Sequence, residues 1–470
     1  MGRSEPRFQG LTTSHPALNQ PAPDSPLQRI AIIGSGISGL GAARELSLAG
    51  AGHRLTLFEA GRTFGGHAHT VMVELGGISH PVDTGFLVYN ERTYPRFTKL
   101  LAELGVATAV SEMSLSVQVR DEHIEWSGRH LGAVFAQAAN VARPGFWRML
   151  ADIVRFNRLA QGRLRDDDQA RAGAVAATAV ALTERPDLTV AGFLHSHHFS
   201  REFRDWYLLP MIASIWSCPR QQMLAFPLAT LLRFCHNHGL LQLVDRPQWR
   251  SVVGGSRSYV QRLLASVADA RCNTPVLGVQ RQIDGVWIRT AEGTERFDQV
   301  IFAGHSDQTL RLLGDDATAT ETQLLGAVPY QRNHAVLHTD TALLPTRQRA
   351  WAAWNHESSG PGDAAGVCLH YLLNRLQPLP WKTPVIVSLN PLRAPQPERV
   401  IQTLEFEHPV LDAGAIAAQQ RLPQIQGQRR SWFCGAWLGH GFHEDGLASG
   451  QRAARWLLLA GPVPLRGAAV

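Results

Sequence analysis

Six residues constrain this chain more than any others. Gly34-Ser35-Gly36-Ile37-Ser38-Gly39 is a G-x-G-x-x-G run set directly after the apolar stretch Arg29 to Ile33. The stretch reads as a short buried strand. A helix is expected from about Ser38 to Leu48, and a second strand from Arg54 to Phe58. In such a βαβ unit Gly34 permits the tight turn and Gly36 lets the backbone approach a pyrophosphate. Gly39 lets helix and strand pack closely. The helix N-terminus around Ile37 and Ser38 offers free N–H groups and partial positive charge. Glu59 ends the second strand, 20 residues after Gly39. There its carboxylate can accept hydrogen bonds from ribose hydroxyls, with Ala60 beside it. The fold class expected is α/β, with a Rossmann-like sheet at its centre.

A second glycine segment, Gly61-Arg62-Thr63-Phe64-Gly65-Gly66, follows Glu59 at once, and a simple NAD domain does not require it. With it the stretch resembles the flavin-containing amine oxidase and phytoene desaturase superfamily, which has a glutathione-reductase-like FAD domain. The resemblance implies FAD as cofactor. It places Arg62, Gly65, Gly66 and the following residue on the cofactor. That residue is usually Arg and here is His67. Asp83-Thr84-Gly85, with Phe86 next, resembles an element lying near the flavin. Val253-Gly254-Gly255-Ser256 resembles a turn before a helix starting near Tyr259. Thr274-Pro275-Val276 resembles the strand whose backbone holds the adenine. Val300 to Ala303, then Gly304-His305, resembles the strand returning to the cofactor. Phe433-Cys434-Gly435-Ala436 and Gly441-Phe442-His443-Glu444-Asp445-Gly446-Leu447 resemble the closing FAD motif. Its helix N-terminus would stabilise negative charge on the reduced flavin. The usual acid of that motif is Ala436 here.

Motifs at both ends imply a discontinuous cofactor domain made of residues 28–110, 250–310 and 430–470. A mainly helical part, 111–249, and a mixed sheet, 311–429, are expected as an inserted α+β substrate domain. Residues 1–27 are polar and proline-rich and read as a disordered leader. Turn signals at Arg143-Pro144-Gly145, Arg185-Pro186 and Cys218-Pro219 punctuate the helical part. Composition is that of a globular protein, 44% hydrophobic and 18% charged. No apolar run reaches the roughly 18 residues of a spanning helix, and no signal-peptide core is seen, so a cytoplasmic location is expected. The five cysteines (Cys218, Cys235, Cys272, Cys368 and Cys434) contain no C-x-x-C pair and read as reduced thiols. The histidine pairs His195-Ser196-His197-His198 and His236-Asn237-His238 lack a partner cluster at ligand spacing, so no metal is expected.

Only two of the 45 basic residues are lysines, Lys99 and Lys382. The net charge of +6 reads either as arginine-rich codon usage or as a basic face for anionic lipid. Nucleic acid is disfavoured, because no nucleic-acid motif is present. The resemblance implies that an amine oxidase would carry a lysine in the segment Tyr330 to Val336. This chain has Tyr330-Gln331-Arg332-Asn333-His334-Ala335-Val336. The closing pattern G-x-G-F-H-E-D-G resembles a bacterial subgroup associated with flavin-dependent acyl-chain desaturation, which implies a lipid or fatty acyl substrate. Phe146-Trp147, Phe203, Trp206-Tyr207-Leu208-Leu209, Ile215-Trp216, Leu224 and Phe226 either line an acyl tunnel, meet a membrane or form the helical core. Arg143, Arg148, Arg155 and Arg158 either bind headgroups or form a solvated face. His440, His443, Glu444 and His305 are the candidates for proton handling. The reaction expected is hydride removal from an acyl carbon to the flavin. The alternatives are an amine or polyene oxidase, a double-bond isomerase and a non-catalytic flavoprotein partner of a lipid-modifying enzyme.

Overall fold

The computed structural model describes residues 27–50, 52–173, 189–216, 220–242, 246–359 and 368–461. The proline-rich leader, the Arg185-Pro186 turn and Cys218-Pro219 lie outside the described residues. Strand Gln28–Ile33 is inside a five-stranded sheet, with Ile30, Ala31 and Ile32 fully buried. Strand His53–Phe58 pairs with it in parallel, Gln28 opposite His53 and Ile33 opposite Phe58. Strand Asp269–Arg271 lies beyond His53–Phe58. On the other side come Gln299–Phe302 and then Ser431–Phe433. Every pairing is parallel. Three distant stretches of sequence therefore close one sheet, and the α/β, Rossmann-like class is the one observed.

Helix Ile37–Leu48 crosses from the first strand to the second and packs on the last helix, His443–Ala460. Small residues permit that approach. A Cβ on Gly450 would overlap the Ser38 backbone, and one on Gly41 would come within 2.8 Å of Leu447. One expected strand is absent. Thr274-Pro275-Val276 is irregular, between strands Asp269–Arg271 and Gly278–Arg281. Pro275 has no N–H to continue a ladder. Thr274 instead donates its N–H to the Glu59 carbonyl at 2.8 Å, which pins the segment beside that acid.

A second, seven-stranded sheet holds Val400–Pro409, Tyr330–His338, Ile386–Leu389, Cys368–Leu372, Trp354–Ser358, Leu115–Val119 and Ile124–Ser127, in that order. Its pairings are antiparallel except Trp354–Ser358 with Leu115–Val119. Between residues 131 and 237 the described chain is mostly helical. The long helix Pro144–Gly173 starts on a proline, which suits a first-turn position whose N–H has no partner anyway. It buries Phe146, Met149, Phe156 and Ala160 at helical spacing. The helical core runs on to Phe302 and Phe433 of the cofactor sheet. The apolar residues singled out in this region divide three ways. Phe146, Phe203, Leu208, Leu209 and Phe226 are core, Tyr207 and Ile215 face a cavity, and Trp147 is exposed. No described helix is long and apolar enough to cross a membrane.

Candidate cofactor site and its apolar arm

The first strand ends in Gly34, which has φ +106°, a backbone state open to glycine. A Cβ on Gly39 would overlap the Gly34 carbonyl oxygen, so helix and turn can touch only without a side chain there. Gly36 differs. A Cβ there would meet no protein atom within 4 Å, because Gly36 faces a cavity of about 790 Å³. No side chain caps the helix that follows, so its first N–H groups are left for a ligand. Gly66, at φ +57°, brings the second glycine turn against Gly36. Glu59 accepts from Ser35 N at 3.1 Å, Ser35 Oγ at 2.5 Å and Gly61 N at 2.7 Å, which fixes its carboxylate at the rim of the turn.

Most of the residues singled out in the sequence line this one cavity. Gly34, Gly36, Ile37, Ser38, Glu59 and Ala60 form one wall. Gly65, Gly66, His67, Gly85 and Phe86 form the next. Val276, Ala303, His305, Gly435, Ala436, Phe442 and His443 complete the polar arm. Six others do not line it. Gly39 and Gly446 lie one layer behind, Gly446 against Ile37 and Ser38. Thr84 is spent on His69, with 2.8 Å between Oγ1 and Nδ1. Arg62 is exposed. Glu444 accepts from the backbone N–H of Arg96 and Phe97, both at 2.9 Å, and so caps helix Pro95–Glu103. Neighbouring helical residues point about 100° apart, so His443 facing the cavity turns Glu444 away. His440 is in the turn before that helix, its N–H donating to Asp445. Proton handling at Glu444 or His440 is therefore not favoured by where they sit.

Four imidazoles gather in the polar arm: His67, His305, His408 and His443. Burial pushes His67 down to about 3, and the neighbouring His408, His305 and His443 add to the shift. Burial alone brings His443 to about 3. His408 falls to about 4, through burial and then His305. His305 is lowered by burial, with Asp307 and Glu407 opposing. The rings are thus neutral near pH 7, and their tautomers are set by partners. Asn333, fully buried, bonds its Oδ1 to Asn390 Nδ2 at 2.9 Å and its Nδ2 to the Gln331 carbonyl at 3.1 Å. The same Nδ2 donates to His408 Nδ1 at 2.9 Å, which assigns the proton of that ring to Nε2. His443 Nε2 meets Tyr259 Oη at 2.8 Å, and its ring stacks on Phe86 at 3.9 Å. His305 stacks on Tyr330 at 4.4 Å.

Of these four imidazoles, two carry a ring nitrogen with no hydrogen-bond partner, His67 Nε2 and His305 Nδ1, the second lying 3.5 Å from the Glu407 carboxylate. Buried polar atoms are rarely left so unless something else occupies them. The open space at Gly36, the uncapped helix N-terminus and these two nitrogens fit a dinucleotide bearing a pyrophosphate. Asp83 braces the same region from behind. It accepts from Thr70 Oγ1 at 2.6 Å and Ser256 N at 2.8 Å, and burial lifts its carboxyl to about 6.

The cavity continues from Leu87 and Val88 into an apolar arm. Trp126, Tyr207, Met211, Phe234, Trp249, Trp354 and Tyr371 line it, with Ser214 and, beside Tyr207, Arg246 as polar exceptions. Tyr207 sits in a π-helical turn, Arg204–Leu208, a distortion often found where a helix serves a site. Neither lysine reaches the cavity. Lys99 is exposed and pairs with Glu103, and Lys382 is exposed. His238 lines the apolar arm, while His236 is exposed, as their spacing of two predicts. Sequence reasoning missed His408, Tyr259, Trp126, Trp249, Trp354 and Tyr371 as site residues. The one available signal was Asn333, in the segment scanned for a lysine.

The sequence also gave no hint of a second buried group in the seven-stranded sheet. Ligand-type atoms of Glu357, Cys368 and His370 lie within 4.8 Å of one another. Glu357 is also paired with Arg120, and both ring nitrogens of His370 are bonded. These donors are spent on protein partners.

The model of the flavin-containing amine oxidoreductase family matches residues 37–341. A search of curated protein sequences finds no match. Among solved structures the chain is similar to cyclohexylamine oxidase from Brevibacterium oxydans, with a TM-score of 0.64 and 16% identity over 93% of this chain and 99% of that one. It is similar to the CLA-producing fatty acid isomerase from P. acnes, with a TM-score of 0.63 and 15% identity over 93% and 99%. It is also similar to reduced UDP-galactopyranose mutase, with a TM-score of 0.60 and 15% identity over 93% and 96%. Three such different proteins share the fold and do not choose a substrate. The family match and the phosphate-loop geometry agree: the chain belongs to the flavin-containing amine oxidoreductases and is an FAD-dependent oxidoreductase.

Proposed function

We propose that this oxidoreductase desaturates a lipid acyl chain. One observation carries the reading: the cavity that holds the glycine turns is also walled by a set of mostly aromatic and aliphatic side chains, with Arg246 among them and no lysine. Such walls hold an extended hydrocarbon and exclude water. The acyl chain would lose a hydride from one carbon and a proton from the next, leaving a double bond. FAD, when bound, supplies the two-electron acceptor, and O2 or a quinone takes the electrons onward. Within the chain, Trp126 and Tyr207 would hold the hydrocarbon. Gly34, Gly36, Gly66 and the helix N-terminus would hold the pyrophosphate, and Glu59 the ribose. His67 would replace a cationic contact with a neutral one. His305 Nδ1 lies 3.5 Å from the Glu407 carboxylate, so a proton taken up there is the least opposed.

Isomerisation of an acyl double bond is the second reading, favoured by the likeness to the P. acnes fatty acid isomerase. The two differ in electron balance. Acyl chains from cells with and without the gene, grown with and without O2, would be compared by mass spectrometry. Desaturation predicts a new double bond and consumption of an electron acceptor. A shifted double bond with no acceptor consumed selects isomerisation, and an unchanged acyl profile overturns both.

A further inference from the structure

We propose that a surface formed by Leu131, Val141, Trp147 and Val154, bordered by Arg143 and Arg158, docks on an anionic lipid bilayer and feeds acyl chains to the cavity past the Gly128 turn. The acyl part of this proposal rests on the reading above, and the docking part does not.

These four apolar side chains are 81%, 55%, 50% and 47% exposed, respectively. Val141, Trp147 and Val154 are neighbours, and Leu131 begins the short helix that ends against Trp147. Trp147 and Val154 are seven residues apart on helix Pro144–Gly173, with Ala151 between them and Arg158 four further on. At about 100° per residue these positions share one helix face, opposite the buried Met149 and Phe156. Trp147 Nε1 donates to the Val141 carbonyl at 2.9 Å, which holds Val141 beside the ring. The Trp147 ring also lies 5.6 Å from Phe135, which ends the short helix begun by Leu131. Exposed apolar groups scattered singly need no explanation, but a contiguous set does. Ile283 and Leu459, equally exposed, lie far from this set in sequence, in a strand turn and at a helix end.

Continuity with the cavity points to lipid as occupant. Gly128 is exposed and also lines the cavity, three residues before Leu131. Behind the patch the rings run inward without a break. Phe135 is 5.8 Å from Phe146, Phe146 is 6.4 Å from Trp126, and Trp126 is 6.1 Å from Tyr207. Trp126 and Tyr207 wall the apolar arm. The charge agrees. Arg158 is exposed and forms no ion pair with a described carboxylate. Arg143 bonds the Glu122 carbonyl at 3.0 Å and forms no ion pair among the described residues. A tryptophan on an apolar face with arginines at the border suits a headgroup interface.

The test uses the full-length, FAD-loaded protein and vesicles of phosphatidylglycerol with phosphatidylcholine, or of phosphatidylcholine alone, in a flotation assay. Wild type should float with the anionic vesicles. The double variant Leu131→Asp/Trp147→Asp should lose about tenfold in partitioning. Arg143→Gln and Arg158→Gln should each lose about fivefold on anionic vesicles and nothing on neutral ones. Bound FAD should stay at the wild-type level and each variant should still unfold in one cooperative transition, which separates docking from misfolding. A water-soluble short acyl substrate should reduce the flavin of the double variant as it does that of wild type, while vesicle-embedded lipid should not. Wild type that ignores anionic vesicles, or variants that float as wild type does, overturns the proposal. So does concentration-dependent self-association that the double variant abolishes. If no acyl chain reduces the flavin of a protein that still floats, the acyl reading has failed and the docking surface stands.

Discussion

Two sets of buried histidines occupy this molecule and differ in how their ring nitrogens are spent. In the seven-stranded sheet, His338 Nδ1 accepts from Asp340 N at 3.0 Å, and its Nε2 meets Ser388 Oγ at 2.6 Å. Ser388 Oγ meets His370 Nδ1 at 2.6 Å, and His370 Nε2 meets Glu357 Oε2 at 2.9 Å. Every valence in that chain is used. In the cavity, His67 Nε2 has no protein partner and His305 Nδ1 has the Glu407 carboxylate at 3.5 Å; in the sheet, His356 Nδ1 stands outside the completed chain and is also unpartnered. A completed polar chain specifies a core. An open valence aimed at a cavity reserves a place for a ligand. The first set is read as structure, the second as site.

Acid should expose what the two sets share. His67 and His443 at about 3, and His238, His338, His356 and His408 at about 4, stay neutral in the fold while the unfolded chain protonates near 6.5. Stability is therefore unaffected by them above about pH 6.5 and falls as pH drops toward 4. Asp83 opposes this between 3.8 and about 6, because the folded carboxyl takes its proton first. Burial raises Glu444 and Asp445 as well, so they act in the same sense as Asp83, and the six imidazoles outweigh the three carboxyls. Urea midpoints measured from about pH 8 to pH 5 should decline below about 6.5. A flat or rising profile would show that the imidazoles are not held neutral.

Glu357→Ala attacks the completed chain. It strands His370 in the interior and takes the carboxylate from the partly exposed Arg120, at a cost of about 3 kcal/mol. The thermal midpoint should fall, while folded protein keeps its FAD affinity. Loss of FAD at an unchanged midpoint would erase the distinction between the sets. The glycines sharpen it next. Gly39→Ala forces the helix off the Gly34 carbonyl, costing about 2 kcal/mol. Gly36→Ala meets no protein atom, so apo stability should move by less than about 0.5 kcal/mol. FAD affinity should nonetheless fall about tenfold, because the added methyl takes space a phosphate needs. The smallest effect is expected at His67→Ala. It removes an unpartnered Nε2 together with ring contacts to Phe406 and His408, so the midpoint should fall slightly and FAD weaken about fivefold, the worth of one hydrogen bond. Equilibrium dialysis with FAD checks both affinity predictions.

The legible parts of the molecule were those where backbone geometry dictates residue type. Gly34 and Gly39 announce a turn and a close approach that other residues forbid, and Glu59 follows at a fixed distance. The parallel sheet followed from them. What stayed hidden depends on pairings between distant residues. Asn333 and His408 meet only because strands Tyr330–His338 and Val400–Pro409 lie side by side. Tyr259 reaches His443 across 184 residues. Glu444 and His443 are adjacent in sequence, and only the packing of helix Pro95–Glu103 decides which of them faces the cavity. The walls of the apolar arm come from Ile124–Ser127, Arg204–Leu208, Trp249–Val252 and Trp354–Ser358. Alone, each of these segments reads as ordinary core.

The FAD-binding cavity is proposed to hold a hydrocarbon as well. The most direct test of this proposal is anaerobic reduction of the purified, FAD-loaded protein, followed by loss of the visible flavin absorbance. Phospholipid acyl chains in mixed micelles should bleach the flavin and emerge with one more double bond, while primary amines leave it oxidised. Rapid bleaching by an amine, with acyl chains returned unchanged, would contradict it.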